Sequence, residues 1–302
     1  MYPTLVEWGD LRFHSYTVMM TLAFVIGVLG PNWLNNRRAK PFPISPAGGI
    51  LIFFAGMAGA KIYWAVQYGN AEDWHHLQFV LTGGLVFFGG LMGGIVGGIA
   101  YLKYVKAPIL PVADMVAPFM ALAHGIGRIG CFLNGCCWGR LMQMNLPWGA
   151  TYPKARYGPY RQQILDSLIS ADDARSLPVH PTQLYETLGN VIIFILLLII
   201  YKRHKRAGIV VLSYFILYGA LRFVTEAFRG ESAYSVFGLT VSQTIGLAMF
   251  VSGALTLALL KFTLWKGAPL APESGITVEA VESESTEQVP SEETAPDSKS
   301  ED

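Results

Sequence analysis

Seven apolar stretches decide what this chain can fold into. They run over roughly 15–31, 47–66, 84–102, 109–126, 188–201, 209–225 and 238–261. A bilayer core needs about 20 mostly apolar residues per crossing helix. No water inside that core can satisfy backbone N–H and C=O groups, so each span must satisfy its own, as a helix does. The fifth and sixth stretches are short as read, and "VIIFILLLII" (191–200) is the clearest span. Composition points the same way: 52% of residues are hydrophobic and 14% charged, against about a quarter charged in soluble domains. Mean hydropathy is +0.40. This balance argues against a soluble enzyme, a nucleic-acid binder and a disordered chain. The expected fold is an all-α polytopic membrane protein of seven transmembrane helices.

Charge orients those spans. Arg37, Arg38 and Lys40 follow the first stretch, and Lys103 and Lys106 the third. Lys202, Arg203, Lys205 and Arg206 follow the fifth, and Lys261 and Lys266 the seventh. The short opposite loops carry only Arg12 and Arg229. The positive-inside rule puts the first set in the cytoplasm, with the N-terminus outside and the C-terminus inside. The first run is not read as a cleaved signal, because "MYPTLVEWGD" is acidic and the basic cluster follows the run. The net charge of +1 conceals two regions: residues 273–302 hold ten of the 21 acids and one of the 22 bases. The expected organisation is a membrane domain over 1–266 and an acidic, disordered cytoplasmic tail over 267–302. The basic body suits anionic lipid headgroups. Between the fourth and fifth spans, 127–187 forms a long extracytoplasmic insertion, and a connection that long is functional or a small domain.

Several residues in this frame carry chemistry. Arg128 closes the fourth span, flanked by Gly125, Gly127, Gly130 and Gly135. Arginine offers a planar fork that matches phosphate oxygens, and glycine lets a headgroup approach the backbone. Arg222 and Glu226 stand four apart in "YGALRFVTEAFRG", on one helix face with Tyr218. They read as a functional pair or as a structural ion pair at the membrane edge. In "HPTQLYE" (180–186), Pro181 suits a first helical turn, and Gln183 and Glu186 can satisfy its amides. His180 sits at that helix start, while His14 and Tyr16 begin the first span at the same level. His124, a turn before Arg128, reads as a satisfied polar group. "CFLNGCC" brings Asn134 and thiols at 131, 136 and 137. Their intervals of five and one fall outside the two-to-four spacing of zinc sites, so no metal is expected. A disulfide from Cys131 to Cys136 or Cys137 is open in an oxidising exterior. Gly90, Gly94 and Gly98, with Gly89, Gly93 and Gly97, recur every four residues and predict close helix packing. No phosphate-cradling loop is present, and no cofactor is expected.

Taken in chain order, "HSYTVM", "GGLVFFGG", "GRIGCFLNGCCWGR", "HPTQLYE" and "YGALRFVTEAFRG" resemble the prolipoprotein diacylglyceryl transferases of the bacterial inner membrane. The similarity runs from about residue 12 to 262 and leaves out the tail. It implies a multi-pass inner-membrane enzyme that moves the diacylglyceryl group of phosphatidylglycerol onto the lipobox cysteine thiol of a preprolipoprotein. The products are a thioether and glycerol phosphate. The implied partners are phosphatidylglycerol, signal peptides bearing a lipobox cysteine and membrane lipids, with no nucleic acid. Residue by residue, Arg128 matches the arginine that binds the lipid, with Gly127, Asn134, Gly139 and Tyr218 completing the expected binding set. Arg222 and Glu226 match an essential pair, Tyr16 a required tyrosine of the first span, and His180 the histidine of the proline motif. His14 joins these as a proton-handling candidate. Arg128 is expected on the lipid phosphate and Arg222 on the leaving phosphate, with Glu226 orienting Arg222 or accepting the thiol proton. The chain departs from the family pattern at Cys131, at Cys136, at Lys61 and at Phe88, which stands where some members carry a histidine proposed as base. A noncatalytic lipid-binding protein of the same fold is the rival reading.

Overall fold

The computed structural model describes residues 4–8, 11–69, 84–142, 147–155, 157–204, 206–229, 234–236 and 238–262. The acidic tail, Lys205 and Lys266 lie outside the described residues. Each long apolar stretch is helical: α1 (Ser15–Asn36), α2 (Pro46–Tyr68), α3 (Phe87–Tyr104), α4 (Ile109–Asn134), α6 (Thr182–Arg203), α7 (Ile209–Glu226) and α8 (Val241–Phe262). A short α5 (Pro159–Leu165) lies in the insertion. Two small antiparallel hairpins, β1 (Thr4–Trp8) with β2 (Leu11–His14) and β3 (Tyr234–Val236) with β4 (Leu239–Thr240), add strand to a fold expected to be wholly helical.

Among the described residues six helices, α1, α2, α4, α6, α7 and α8, are long and apolar enough to cross a membrane, one fewer than expected. The remaining long helix, α3, spans 18 residues, is rich in glycine and carries Lys103 in its last turn. Its glycines serve contact with α2. A Cβ at Gly59 would lie 2.4 Å from the Gly89 carbonyl oxygen, and one at Gly93 would lie 2.5 Å from that of Ala55. Only hydrogen fits there, so the backbones touch.

Helix α4 is the central post. Half of its apolar window, 50%, is buried, against 17% for α1 and 11% for α2. Met115, Ala117, Phe119 and Ala121 on α4 pack with Ile193 and Leu197 of α6 and Val210 and Tyr214 of α7. Outward faces stay apolar: Phe54, Val66, Met92, Val96, Leu188 and Leu255 are all exposed. A soluble fold would hide most of these; a bilayer is the solvent that tolerates them as a continuous surface.

Local chemistry sets where helices begin and end. Gly135 terminates α4 with a left-handed φ of 77°, which costs glycine nothing. At the start of α7, Gly208 N–H and Val211 N–H donate to the buried Asp114 carboxylate at 2.6 and 2.8 Å. That acid of α4 therefore caps α7 and joins the two helices at the end of the bundle opposite Arg128. Helix α4 runs on to Asn134, eight residues beyond the expected end at 126, so Arg128 is helical rather than part of the insertion. The insertion knits to itself: the Tyr160 hydroxyl donates to the Ala171 and Asp173 carbonyls at 3.0 and 2.8 Å.

Candidate active site

The bundle brings one end of five elements together. The last three turns of α4 present His124 and Arg128 on one face. The first turns of α6 present Glu186, and the last turns of α7 present Tyr218, Arg222 and Glu226, followed by Arg229. Thr240 of β4 and Ser242 at the start of α8 close the ring.

Glu186 is the hub. One oxygen accepts from Arg128 Nε at 2.8 Å and the other from Arg222 Nη1 at 3.0 Å, and its side chain is 2% exposed. Arg222 Nη2 lies 2.9 Å from Glu226 Oε2 and donates to Ser242 Oγ at 2.7 Å. The Thr240 hydroxyl donates to Glu226 Oε1 at 3.3 Å. Arg229 Nη1 stands 3.9 Å from both carboxylates, inside their field but beyond hydrogen-bond reach. His124 Nε2 accepts from Arg128 Nε at 3.4 Å and lies 3.4 Å from the Tyr218 hydroxyl. Three guanidiniums thus face two carboxylates, leaving one unit of positive charge in a site largely shielded from solvent. Arg128 spends only Nε on these partners. Among the described residues neither of its Nη groups has a partner, so both remain available to an anion.

The structure therefore brings Arg128, Arg222, Glu226 and Tyr218 together. Glu186 is a correction: it does not cap α6, whose start has no side-chain cap, but balances two arginines. Gln183 likewise looks elsewhere, donating to the Cys136 carbonyl at 2.8 Å. In the sequence Arg229 reads only as a loop charge. Of the other expected residues, Gly127 faces Met20 of α1, and Tyr16 lies against Gly130. Exposed Asn134 contacts the Cys136 sulfur at 3.7 Å. His14 ends β2 opposite Thr4, and among the described residues no hydrogen bond or ion pair joins it to the cluster. Phe88 is exposed in the first turn of α3.

Gly139 and His180 form the seam beside the cluster. Gly139 N–H donates to the His180 carbonyl at 2.9 Å. A Cβ at Gly139 would stand 2.6 Å from the His180 and Phe228 carbonyl oxygens, so no other residue fits without moving backbone. Arg140 ties the same seam to the end of α7 by donating to the Ala227 carbonyl. The His180 ring lines an open cleft of about 490 Å³ with Trp148, Tyr185, Leu221, Val224 and Phe228. His180 Nδ1 is 3.2 Å from the Tyr185 hydroxyl, which also accepts from Trp148 Nε1 at 3.1 Å. Partial burial and then the Arg140 charge lower the His180 pKa below its ordinary value, so the ring is neutral at pH 7. The three cysteines are free thiols rather than a disulfide pair, and their sulfurs lie within 4.8 Å of one another.

Residues 3–259 match the family model described as prolipoprotein diacylglyceryl transferase. Similar relatives share the name phosphatidylglycerol–prolipoprotein diacylglyceryl transferase. The one from Proteus mirabilis is 30% identical over 297 residues, covering 89% of this chain and 95% of the relative. Those from Erwinia tasmaniensis and Photobacterium profundum are 31% and 32% identical, each over 84% of this chain and 90% and 91% of their own.

Proposed function

The chain belongs to the prolipoprotein diacylglyceryl transferase family, and from that premise we propose that it moves the diacylglyceryl group of phosphatidylglycerol onto the lipobox cysteine thiol of a preprolipoprotein. The thiol loses its proton, sulfur bonds to the glyceryl carbon, and the carbon–oxygen bond to phosphate breaks. The electron pair leaves with glycerol phosphate. The observation that carries this reading is the arginine cluster with unspent donors. Its surplus positive charge matches the single negative charge of a phosphodiester, and the leaving phosphate gains charge as the bond breaks. Preorganised guanidiniums at a low-dielectric site stabilise that gain more than water does.

The geometry refines the expected roles. Arg128 grips the lipid phosphate with its two unpartnered Nη groups. Both Nη groups of Arg222 are engaged, by Glu186 on one side and by Glu226 and Ser242 on the other, which supports a positioning role for it. Arg229, held at 3.9 Å from both acids, takes the leaving phosphate in its place. Glu226 orients Arg222. The apolar cleft beside His180 suits hydrocarbon from either substrate. Gly127, Asn134, Gly139 and Tyr218 remain the binding set, and Tyr16, His180 and His14 the groups proposed to handle protons. We also propose that α3 crosses the bilayer as a seventh span, with the N-terminus outside, the insertion extracytoplasmic and the tail in the cytoplasm.

The test is transfer itself. Purified protein in phosphatidylglycerol vesicles should lipidate a peptide with a lipobox cysteine and leave the serine version untouched. Arg128→Ala should abolish transfer. A variant that transfers at the parental rate refutes the phosphate role. A parental chain that binds lipid without ever transferring it would favour the noncatalytic reading to which Phe88 lends support.

A further inference from the structure

The thiol nucleophile needs a means of losing its proton, and the cluster does not offer one freely. Glu186 and Glu226 are both engaged by guanidiniums. The unperturbed thiol has a pKa of about 8.5, so only about 3% is thiolate at pH 7.

Next to Arg128 lie three cysteines that the sequence spacing had argued out of metal binding. The fold reverses that argument. Cys131 sits one helical turn past Arg128. Gly135 then turns the chain with φ of 77°, and Cys137 adopts a left-handed φ of 61°, rare for a residue with a side chain. Successive side chains that would otherwise diverge, those of Cys136 and Cys137, now converge on Cys131. All three sulfurs fall within 4.8 Å of one another. Zinc–sulfur bonds of about 2.3 Å put tetrahedral thiolates about 3.8 Å apart, so small side-chain rotations close the set. Among the described residues no fourth histidine, cysteine or carboxylate joins the group. All three thiols are only partly buried, which leaves an approach for an outside ligand. Structural zinc sites are closed by four protein ligands, whereas three plus an open position is the catalytic arrangement.

We infer that Cys131, Cys136 and Cys137 bind a thiophilic divalent cation, zinc, whose open fourth position takes the incoming peptide thiol as thiolate. The three protein thiols release their protons when the metal binds. The peptide thiol releases its own on coordination, since a metal-bound thiol is deprotonated outright, and these protons pass to solvent water. Three thiolates and one dication carry one net negative charge. That charge lies near Arg128, one turn back on α4, and near Arg229, whose backbone bridges Gly139 two residues past Cys137. Coordinated sulfur then attacks the glyceryl carbon, the carbon–oxygen bond to phosphate breaks with its electron pair leaving on glycerol phosphate, and the thioether product, a weaker ligand, departs. This inference rests on the transferase reading for its substrate.

Cobalt reports on it independently of catalysis. Full-length protein, reduced and in phosphatidylglycerol nanodiscs, is stripped with chelator and given Co²⁺. The expected result is about one cobalt per chain with thiolate charge-transfer absorption, lost in Cys131→Ser and in Cys137→Ser. A lipobox cysteine peptide should shift the spectrum and its serine version should not. Chelation of the unmutated chain, which sidesteps any folding defect of the variants, should slow transfer about 30-fold at pH 7 and less at higher pH, with zinc restoring it. Absence of a thiolate band in reduced protein, a band indifferent to the peptide, or transfer unchanged by chelation overturns the inference and leaves the transferase reading standing. If transfer is never observed while the peptide-sensitive band is, the site stands and the transferase reading fails.

Discussion

Replacing Glu186 with glutamine keeps the shape of the hub and removes its charge. Two guanidinium bonds, at 2.8 and 3.0 Å, end on this carboxylate, whose side chain is 2% exposed. Removing one partner of a buried ion pair costs about 3–5 kcal/mol, because the other partner is left uncompensated. The empty site would move from one surplus positive charge to two. Part of that penalty should vanish when an anionic lipid enters, since the phosphodiester supplies the missing charge. Catalysis should not recover in the same way. The amide keeps one acceptor oxygen where two guanidiniums now use one each, so either Arg128 or Arg222 loses the acceptor that aims it, and losing one preorganised donor costs about 100–1000-fold in rate. Glu186→Gln should therefore lower kcat by about that factor, leave KM for phosphatidylglycerol unchanged or lower it, and unfold at a lower temperature in neutral detergent than in phosphatidylglycerol micelles. Steady-state transfer at varied lipid fraction, with thermal unfolding in the two amphiphiles, reads all three. A raised KM with parental kcat would refute the reasoning, because it would make Glu186 a lipid ligand rather than the residue that positions the arginines.

Further consequences are more local. Arg229→Ala should slow transfer about 10–100-fold while Arg222→Ala also destabilises the bundle; transfer and thermal unfolding on both variants separate the two roles, and equal melting temperatures would contradict the positioning role of Arg222. Gly139→Ala must push the backbone of His180 or Phe228 away from a 2.6 Å contact and should destabilise by about 1–3 kcal/mol in denaturant unfolding, even though it adds only a methyl. His180 has a lowered folded pKa, so its stabilising contribution is present above the unfolded value of about 6.5 and is lost as pH falls through the folded value. The His180→Asn variant should accordingly lose less stability between pH 7 and 5 than the parent, by a small margin because the ring is largely solvated. Asp114→Ala strands the Gly208 and Val211 amides in a buried setting and should cost about 2–4 kcal/mol, measured by unfolding, with the arginine cluster at the far end of the bundle intact.

Hydropathy located the helices well and their ends less well, for a physical reason. It measures tolerance of lipid, whereas a helix continues wherever its backbone stays bonded. Helix α6 starts at Thr182 rather than near 188 because its first turns are polar yet satisfied by neighbours. Gln183 Nε2 donates to the Cys136 carbonyl and Thr187 Oγ1 to that of Gly125 at 3.1 Å. Helix α4 passes its apolar limit because Gly125, Gly127 and Gly130 lower hydropathy without breaking the helix. In α3 the same residue type lowers the apolar score of a helix whose packing on α2 was legible from its four-residue glycine period. The hairpins are too short for alternation to register.

At the site, pairs within one helix were readable, since 218, 222 and 226 share a face by spacing alone. Pairs across helices were not, and Glu186 was assigned to helix capping because its segment looks like a helix start. A charge count would have found it. Within the long helices the carboxylates are Asp114, Glu186 and Glu226. Asp114 caps α7 at the opposite end of the bundle. Arg128, Arg222 and Arg229 gather at the other end, and Glu226 alone would leave two uncompensated guanidiniums in a low-dielectric setting, which is costly at any geometry. Glu186 is the one carboxylate left on these helices that can reduce that surplus to a single charge. The requirement that intramembrane charges balance to within what the substrate can neutralise therefore selects Glu186 where periodicity and motif cannot.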